Sequence, residues 1–281
     1  MIIDFHTHTF PEKIAAATLD KLKHNSHTVT FADGTADGLR RNMDAAGIDL
    51  SVILPVATAA RQVEHINDAS ARLNEAMNDQ GLLSLGTMHP DYEGYRDELA
   101  RIRELGMKGF KIHPVYQGAD IDDIRFLRIL DRAAELGLIV VTHAGLDVGI
   151  PGVVHCSPAM CRHAVQEIGP FSLVLAHMGG WHNWDEVPDL LADTGVWLDT
   201  SFSTGAMVPL DGYWRPEDLS MLDADAFMKI VRAFGPDQIL FGTDSPWSDP
   251  RESLDFIRKL PLTQEETDDI LGRNAQRLLD I

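Results

Sequence analysis

Met1-Ile2-Ile3-Asp4-Phe5-His6-Thr7-His8 is an apolar run that closes on two histidines. In a strand, residues two apart point to the same face, so His6 and His8 project side by side at the strand's C-terminal end. Two imidazoles placed in this way can grip one divalent metal. A pair of surface histidines would account for this segment taken alone, but the same pattern returns along the chain. Short β-branched or apolar runs span 2–6, 51–56, 82–87, 109–113, 138–143, 172–177, 196–199 and 239–244. Each is nearly continuously apolar, as suits parallel strands buried on both faces.

Helical patterns separate these runs. Residues 63–78 carry Ile66, Ala69, Leu73 and Met77 at three- and four-residue steps, and 95–104 carry Leu99 and Ile102 before stopping at Gly106. Residues 123–135 and 225–234 repeat the pattern and stop at Gly137 and Gly235, as expected of glycine C-caps. A last helix over 263–271 opens with Thr-Gln-Glu-Glu, a capping-box spacing. Eight strands alternating with helices predict a parallel α/β fold, and the count favours a (β/α)8 TIM barrel formed by one domain over 1–281. The polar segment 24–35 reads as a lid or short insertion. Residues 201–222, with Met207, Tyr213 and Trp214, follow the seventh strand, where a barrel places loops over its active face.

The composition is that of an ordinary globular protein, with 44% hydrophobic and 24% charged residues. The net charge of -19, from 24 basic and 43 acidic residues, argues against nucleic acid as a partner, which would require clustered Lys and Arg. No apolar run approaches the roughly 20 residues of a membrane span. No basic-then-apolar leader opens the chain, and two close cysteines, Cys156 and Cys161, suggest no disulfide framework. A cytoplasmic location and a small-molecule substrate are the expectations, with a homodimer as the base-rate assembly.

The ionisable residues gather at strand ends. Strand one ends in His6 and His8, strand four in Lys111 and His113, strand five in His143, strand six in His177 and strand eight in Asp244. A core histidine explains any one of these, but not the set. Barrel enzymes assemble their sites from the C-terminal ends of several strands. The segment His155-Cys156 through Cys161-Arg162-His163 matches no strong zinc spacing, and Ser157-Pro158 reads better as a helix start. Trp181, Trp184 and Trp247 follow strands six and eight and suit either an apolar pocket or loop packing.

In combination, Asp4-Phe5-His6-Thr7-His8, Gly109-Phe110-Lys111-Ile112-His113-Pro114, Thr142-His143-Ala144-Gly145, Leu175-Ala176-His177-Met178-Gly179-Gly180 and Leu240-Phe241-Gly242-Thr243-Asp244-Ser245-Pro246-Trp247 resemble the amidohydrolase superfamily. The resemblance is to its amidohydrolase-2 branch, which includes aminocarboxymuconate-semialdehyde decarboxylase and other metal-dependent enzymes. Gly272-Arg273-Asn274-Ala275 is similar to the closing helix of that branch. The resemblance implies His6, His8, His143 and Asp244 as metal ligands, with Asp244 also a proton acceptor. It implies His177 as a catalytic histidine, although some members bind metal there. It also implies a mononuclear site, which leaves Lys111 for a substrate carboxylate rather than a carboxylated bridge between two metals. A lysine satisfied by a barrel carboxylate such as Asp4 is the alternative. His113 is either substrate-facing or in support of the site, and Trp247 is a candidate substrate contact.

Three imidazoles and a carboxylate suit Zn2+ first, and Mn2+, Fe2+ or Co2+ as well. Bound Zn2+ lowers the pKa of water from about 15.7 to about 7. The leading expectation is a metal-dependent hydrolase of a small amide, cyclic amide or lactone. Non-oxidative decarboxylation of a small carboxylic acid is the alternative, and a catalytically silent metal-binding protein is a third reading.

Overall fold

The structure, a computed structural model, describes all 281 residues. Eight parallel strands follow one another in chain order: β1 (Ile3–Thr7), β2 (Leu50–Ile53), β3 (Leu82–Ser84 and Gly86–Thr87, broken at Leu85), β4 (Gly109–Ile112), β5 (Ile139–Thr142), β6 (Leu173–Leu175), β7 (Trp197–Asp199) and β8 (Ile239–Leu240). Each pairs with the next, for example through Ser51 with Leu82, Lys111 with Val141 and Asp199 with Leu240. The Leu85 N–H donates to Ile53 O across the break in β3. The barrel closes between β1 and the end of β8. There Phe5 N–H donates to Phe241 O (2.8 Å), Asp244 N–H to His6 O (2.8 Å) and His8 N–H to Ser245 O (2.7 Å). The result is the (β/α)8 barrel that the alternation predicts.

Helices fill the crossovers: α1 (Glu12–Ser26), α2 (Ala36–Ala46), α3 (Val63–Met77), α4 (Tyr95–Glu104), α5 (Ile124–Leu136), α6 (Pro158–Ile168), α7 (Val187–Leu191), α8 (Ala224–Phe234), α9 (Pro250–Lys259) and α10 (Gln264–Asp268), which a π-turn (Asp269–Arg273) joins to α11 (Asn274–Leu279). Their starts follow local chemistry. Ser157 Oγ accepts from Met160 N–H to open α6, and Thr263 and Glu266 form a reciprocal capping box at α10. Only the first three residues of the segment 24–35 are helical, because α1 runs on to Ser26. Beyond it, residues 27–29 pair with the long loop after β7 through Val29 N–H to Val208 O and Leu210 N–H to His27 O.

Two apolar layers hold the barrel. The outer one packs helix residues such as Leu39, Leu99 and Ile129 on outward strand residues such as Ile53, Phe110 and Leu198. The inner one contains Phe5, Val52, Val141, Val174 and Leu240. β1 departs from simple alternation. Asp4 pairs with Ser51 and Thr7 with Ile53, so three steps of β1 oppose two of β2. This β-bulge lets Phe5 fill the interior while the next residue, His6, also faces inward toward the mouth.

Asp4, on the outer side of the bulge, ties β1 to the residues after β8. Thr243 N–H donates to its Oδ1 (2.9 Å) and Thr243 Oγ1–H to its Oδ2 (2.6 Å), while Thr243 Oγ1 accepts from Ser245 N–H (3.0 Å). Burial pushes the Asp4 carboxyl up to about 7, against the pull of the Thr243 hydrogen bonds. Thr243→Val removes the hydroxyl and leaves a buried carboxylate oxygen and a buried N–H unpaired. Urea unfolding at pH 8 is expected to show a loss of about 1–3 kcal/mol. A change under about 0.5 kcal/mol, the scatter of neutral substitutions, would mean that this clasp does not hold the seam.

Candidate metal centre at the barrel mouth

The strand ends bring the predicted residues to one mouth in two groups. From β1 and the turn after β8 come His6, His8 and Asp244, whose ligand atoms all lie within 4.8 Å of one another. His6 Nε2 is 3.2 Å from His8 Nε2 and 3.5 Å from Asp244 Oδ1, and His8 Nε2 is 3.0 Å from the same oxygen. Gly242 makes this approach feasible, because a Cβ there would stand 2.9 Å from His6 Cβ. Beyond β5 and β6, His143 Nδ1 and His177 Nε2 face each other at 3.0 Å. The two ring pairs are steeply inclined, at 72° for His6 and His8 and 64° for His143 and His177.

The protons of these rings all point away from the centre. His6 Nδ1 lies 2.8 Å from Asp199 Oδ2, His8 Nδ1 2.7 Å from Leu54 O, His143 Nε2 3.0 Å from Leu146 O and His177 Nδ1 3.0 Å from Ser201 O. Each of these partners is an acceptor, so it assigns the ring's proton to that nitrogen and leaves the inward nitrogen bare. Burial holds His6 below its ordinary pKa, His143 well below it, and His177 down at about 4, which disfavours a second proton on any of them. Asp244 Oδ1 is buried and receives no hydrogen bond. Burial raises the Asp244 pKa, but any positive charge shared with His6 and His8 more than offsets it and keeps the carboxyl well below its usual range. Four bare nitrogens and an ionised oxygen thus converge with Lys111 Nζ, 3.4 Å from His6 Nε2, as the one donor among them. Ligands at about 2.0–2.2 Å around a tetrahedral ion sit roughly 3.4 Å apart, close to the spacings within the His6, His8 and Asp244 triad. The donor set fits a divalent cation.

A second group, His113, His143 and Asp147, also brings its polar atoms within 4.8 Å. His113 Nε2 is 3.5 Å and His143 Nδ1 3.9 Å from Asp147 Oδ2, and Tyr116 OH donates to Asp147 Oδ1 (3.2 Å). This group suits a cation poorly. The His113 and His143 rings are stacked at 4.2 Å and 14°, with Tyr116 on the far face of His113 at 4.0 Å and 5°. Lone pairs of stacked rings lie in separate, nearly parallel planes, and no ion can sit in both. His143, expected from the resemblance beside His6, His8 and Asp244, therefore stands outside their triad and turns toward His177 and Asp147.

Lys111 is 1% exposed and forms no ion pair, and its supposed partner Asp4 is engaged by Thr243. Burial lowers its pKa to about 8 against the opposing pull of Asp199 and Asp244. His113 lies between Tyr116 and His143 in the stack just described. Trp247 is half-buried and packs on a cluster of Val148, Trp181, Phe202, Met207 and Leu219, with the Phe202 ring 5.6 Å from that of His177. The loop 201–222 supplies much of this cluster. His155 is held by Asp120 (2.6 Å), and Cys156 and Cys161 are buried free thiols.

Sequence reasoning did not single out Asp147, Asp199 or Ser201. Asp199 closes the seventh apolar run, so the strand-end rule that selected His143 and Asp244 would have found it. Asp147 lies in the loop four residues past His143 and carries no periodic signal.

A family profile described as amidohydrolase matches residues 3–281. A short segment is 43% identical over 49 residues to D-hydantoinase of Rhizobium radiobacter, covering 17% of this chain and only 11% of that enzyme. The 5-carboxyvanillate decarboxylase of Sphingomonas paucimobilis superposes with a TM-score of 0.72 at 16% identity, over 100% of this chain and 99% of that one. A Pseudomonas putida protein assigned by inference as a 2-pyrone-4,6-dicarboxylic acid hydrolase gives 0.66 at 18% identity, over 99% and 97%. At these identities the structural likeness establishes the barrel fold and not the reaction. The profile match across nearly the whole chain settles the lineage: the chain belongs to the amidohydrolase-2 family.

Proposed function

We propose that the protein is a metal-dependent hydrolase that cleaves a C–N or C–O bond of a small amide, cyclic amide or lactone. The observation that carries this reading is the buried Asp244 Oδ1, an ionised acceptor with no donor, set against the bare Nε2 atoms of His6 and His8. These three residues would hold one divalent cation, with Zn2+ foremost. Such a cation polarises a carbonyl and acidifies water.

The chain's own residues manage the protons. Asp244 accepts a proton from the attacking water and passes it to the departing nitrogen or oxygen. His177 Nε2 is bare in the resting site, so it acts first as a proton acceptor. It stabilises an oxyanion only after protonation, as an N–H donor. Lys111 offers an unpaired buried ammonium to a carboxylate or carbonyl oxygen of the substrate. His113, Asp147 and Tyr116 form one wall, and the cluster around Phe202 and Trp247 faces the apolar part of the substrate. A second reading, non-oxidative decarboxylation, uses the same unpaired Lys111 to anchor a carboxylate, and the likeness to a carboxyvanillate decarboxylase keeps it in view.

Turnover of lactones, amides and aromatic acids in water labelled with heavy oxygen separates the two. Hydrolysis predicts label in the organic product, lost in Asp244→Asn. Carbon dioxide release with an unlabelled organic product would establish the second reading instead. Lys111→Met tests the anchor. Its kcat/KM is expected to fall by about tenfold or more, the scale of one lost charged contact, with the bound metal unchanged by elemental analysis. Loss of metal together with activity would place Lys111 among the ligands.

A further inference from the structure

The two groups of histidines at the mouth come from opposite sides of the barrel, yet one member of each, His6 and His177, shares an anchor for its outward nitrogen. Asp199 at the end of β7 is fully buried. Its Oδ2 accepts from His6 Nδ1–H (2.8 Å). Its Oδ1 accepts from Ser201 N–H (3.0 Å), from the His177 backbone N–H (3.2 Å) and from the Ser201 hydroxyl. With its one proton given to Asp199, Ser201 Oγ has two lone pairs left. They face His6 Nδ1 at 2.9 Å and His177 Nδ1 at 3.0 Å. In this arrangement every donor and acceptor in the group has a partner.

The backbone adds a second argument. His177 and Met178 have φ of 61° and 52°, in the left-handed region that non-glycine residues seldom occupy. The Asp199 bond to His177 N–H pins one side of this turn, and Trp184 Nε1–H pins the other through His177 O (2.8 Å). Asp199 therefore fixes the backbone of His177, and Ser201 its ring.

We propose that Asp199 and Ser201 are positioning residues that act as one unit, setting the Nδ1–H tautomer of His6 and His177 together and keeping both inward nitrogens bare for a cation and for proton transfer. The inference rests on the reading of the mouth as a cation site, but not on the reaction performed there. Ligand histidines are commonly oriented through their other ring nitrogen, and loss of such a partner costs about 10–100-fold in metal affinity. Here one carboxylate and one hydroxyl serve two histidines placed on β1 and after β6.

The substitution Asp199→Asn gives a sharp expectation. Three donors claim the side of Oδ1, so the amide oxygen takes that place and the amide NH2 faces His6 Nδ1. His6 must then accept there and carry its proton on Nε2, pointing into the centre. Nitrogen–proton correlation spectra of metal-free protein labelled on its histidine rings read the tautomers directly. Wild type should show His6 and His177 as Nδ1–H forms. Asp199→Asn should show His6 switched to Nε2–H, and Zn2+ titrated into the stripped protein should bind about 10–100-fold more weakly. A folded Asp199→Asn protein with the His6 tautomer and Zn2+ affinity of wild type would overturn the proposal. Ser201→Ala provides an independent check, since it keeps the carboxylate and removes the shared hydroxyl. The Nδ1–H signals of His6 and His177 should both move, and a shift confined to one or absent from both would overturn the coupling. Because these readouts need no turnover, a protein inactive on every lactone and amide could still show the switch, separating failure of this inference from failure of the hydrolase reading.

Discussion

His6, His8, His143 and His177 each donate their single ring N–H away from the centre, and the rest of the site depends on that constraint. Leu54 O, Leu146 O, Ser201 O and the Asp199 carboxylate are the four acceptors that enforce it. Backbone carbonyls supply three of them, so the proton arrangement is set largely by the path of the chain between strands. The consequence is a buried patch of lone pairs beside an ionised Asp244. In the absence of positive charge, bare nitrogens 3.0–3.2 Å apart repel one another. A cation relieves that repulsion, whereas neutral hydrogen-bond donors are not available in the patch.

The barrel makes this patch by the way it closes. The last hydrogen bonds of the seam, from Asp244 N–H to His6 O and from His8 N–H to Ser245 O, join the very residues whose side chains form the triad. Asp244 itself has a left-handed backbone, φ 62°, at the sharp turn leaving β8. On the neighbouring strand, the bulge of β1 separates two tasks that simple alternation would set in conflict. Phe5 packs the barrel interior, and His6 is still aimed at the mouth. The packing that stabilises the fold and the geometry that builds the site are therefore one arrangement at this seam.

Much of this was legible in the sequence. The eight apolar runs became the eight strands, shortened at their ends because residues such as His143, His177 and Asp244 already lie in the turns beyond them. The helices traced in the sequence, such as Tyr95–Glu104, matched closely, whereas α2 and α9 went unread despite an apolar stripe, and α1 and the turns of the 201–222 loop lacked a periodic signal. The strand-end pattern brought His6, His8 and Asp244 to one mouth, and the family resemblance grouped them as ligands together with His143. The orientation of His143 did not, because stacking on His113 and the reach of Asp147 are contacts between loops, and loop contacts leave no period to read. The bulge in β1 was likewise hidden, as a matter of register against β2, whereas Asp199 stood in view at a strand end and only its hydrogen bond to a residue 193 positions away was not legible.

The cation position is read most plainly from diffraction by crystals soaked in Mn2+ or Zn2+ and measured at the metal's absorption edge. A strong anomalous peak enclosed by His6 Nε2, His8 Nε2 and Asp244 Oδ1 is expected. A peak held instead by His113 and Asp147, or no peak at the mouth at saturating metal, would contradict that position.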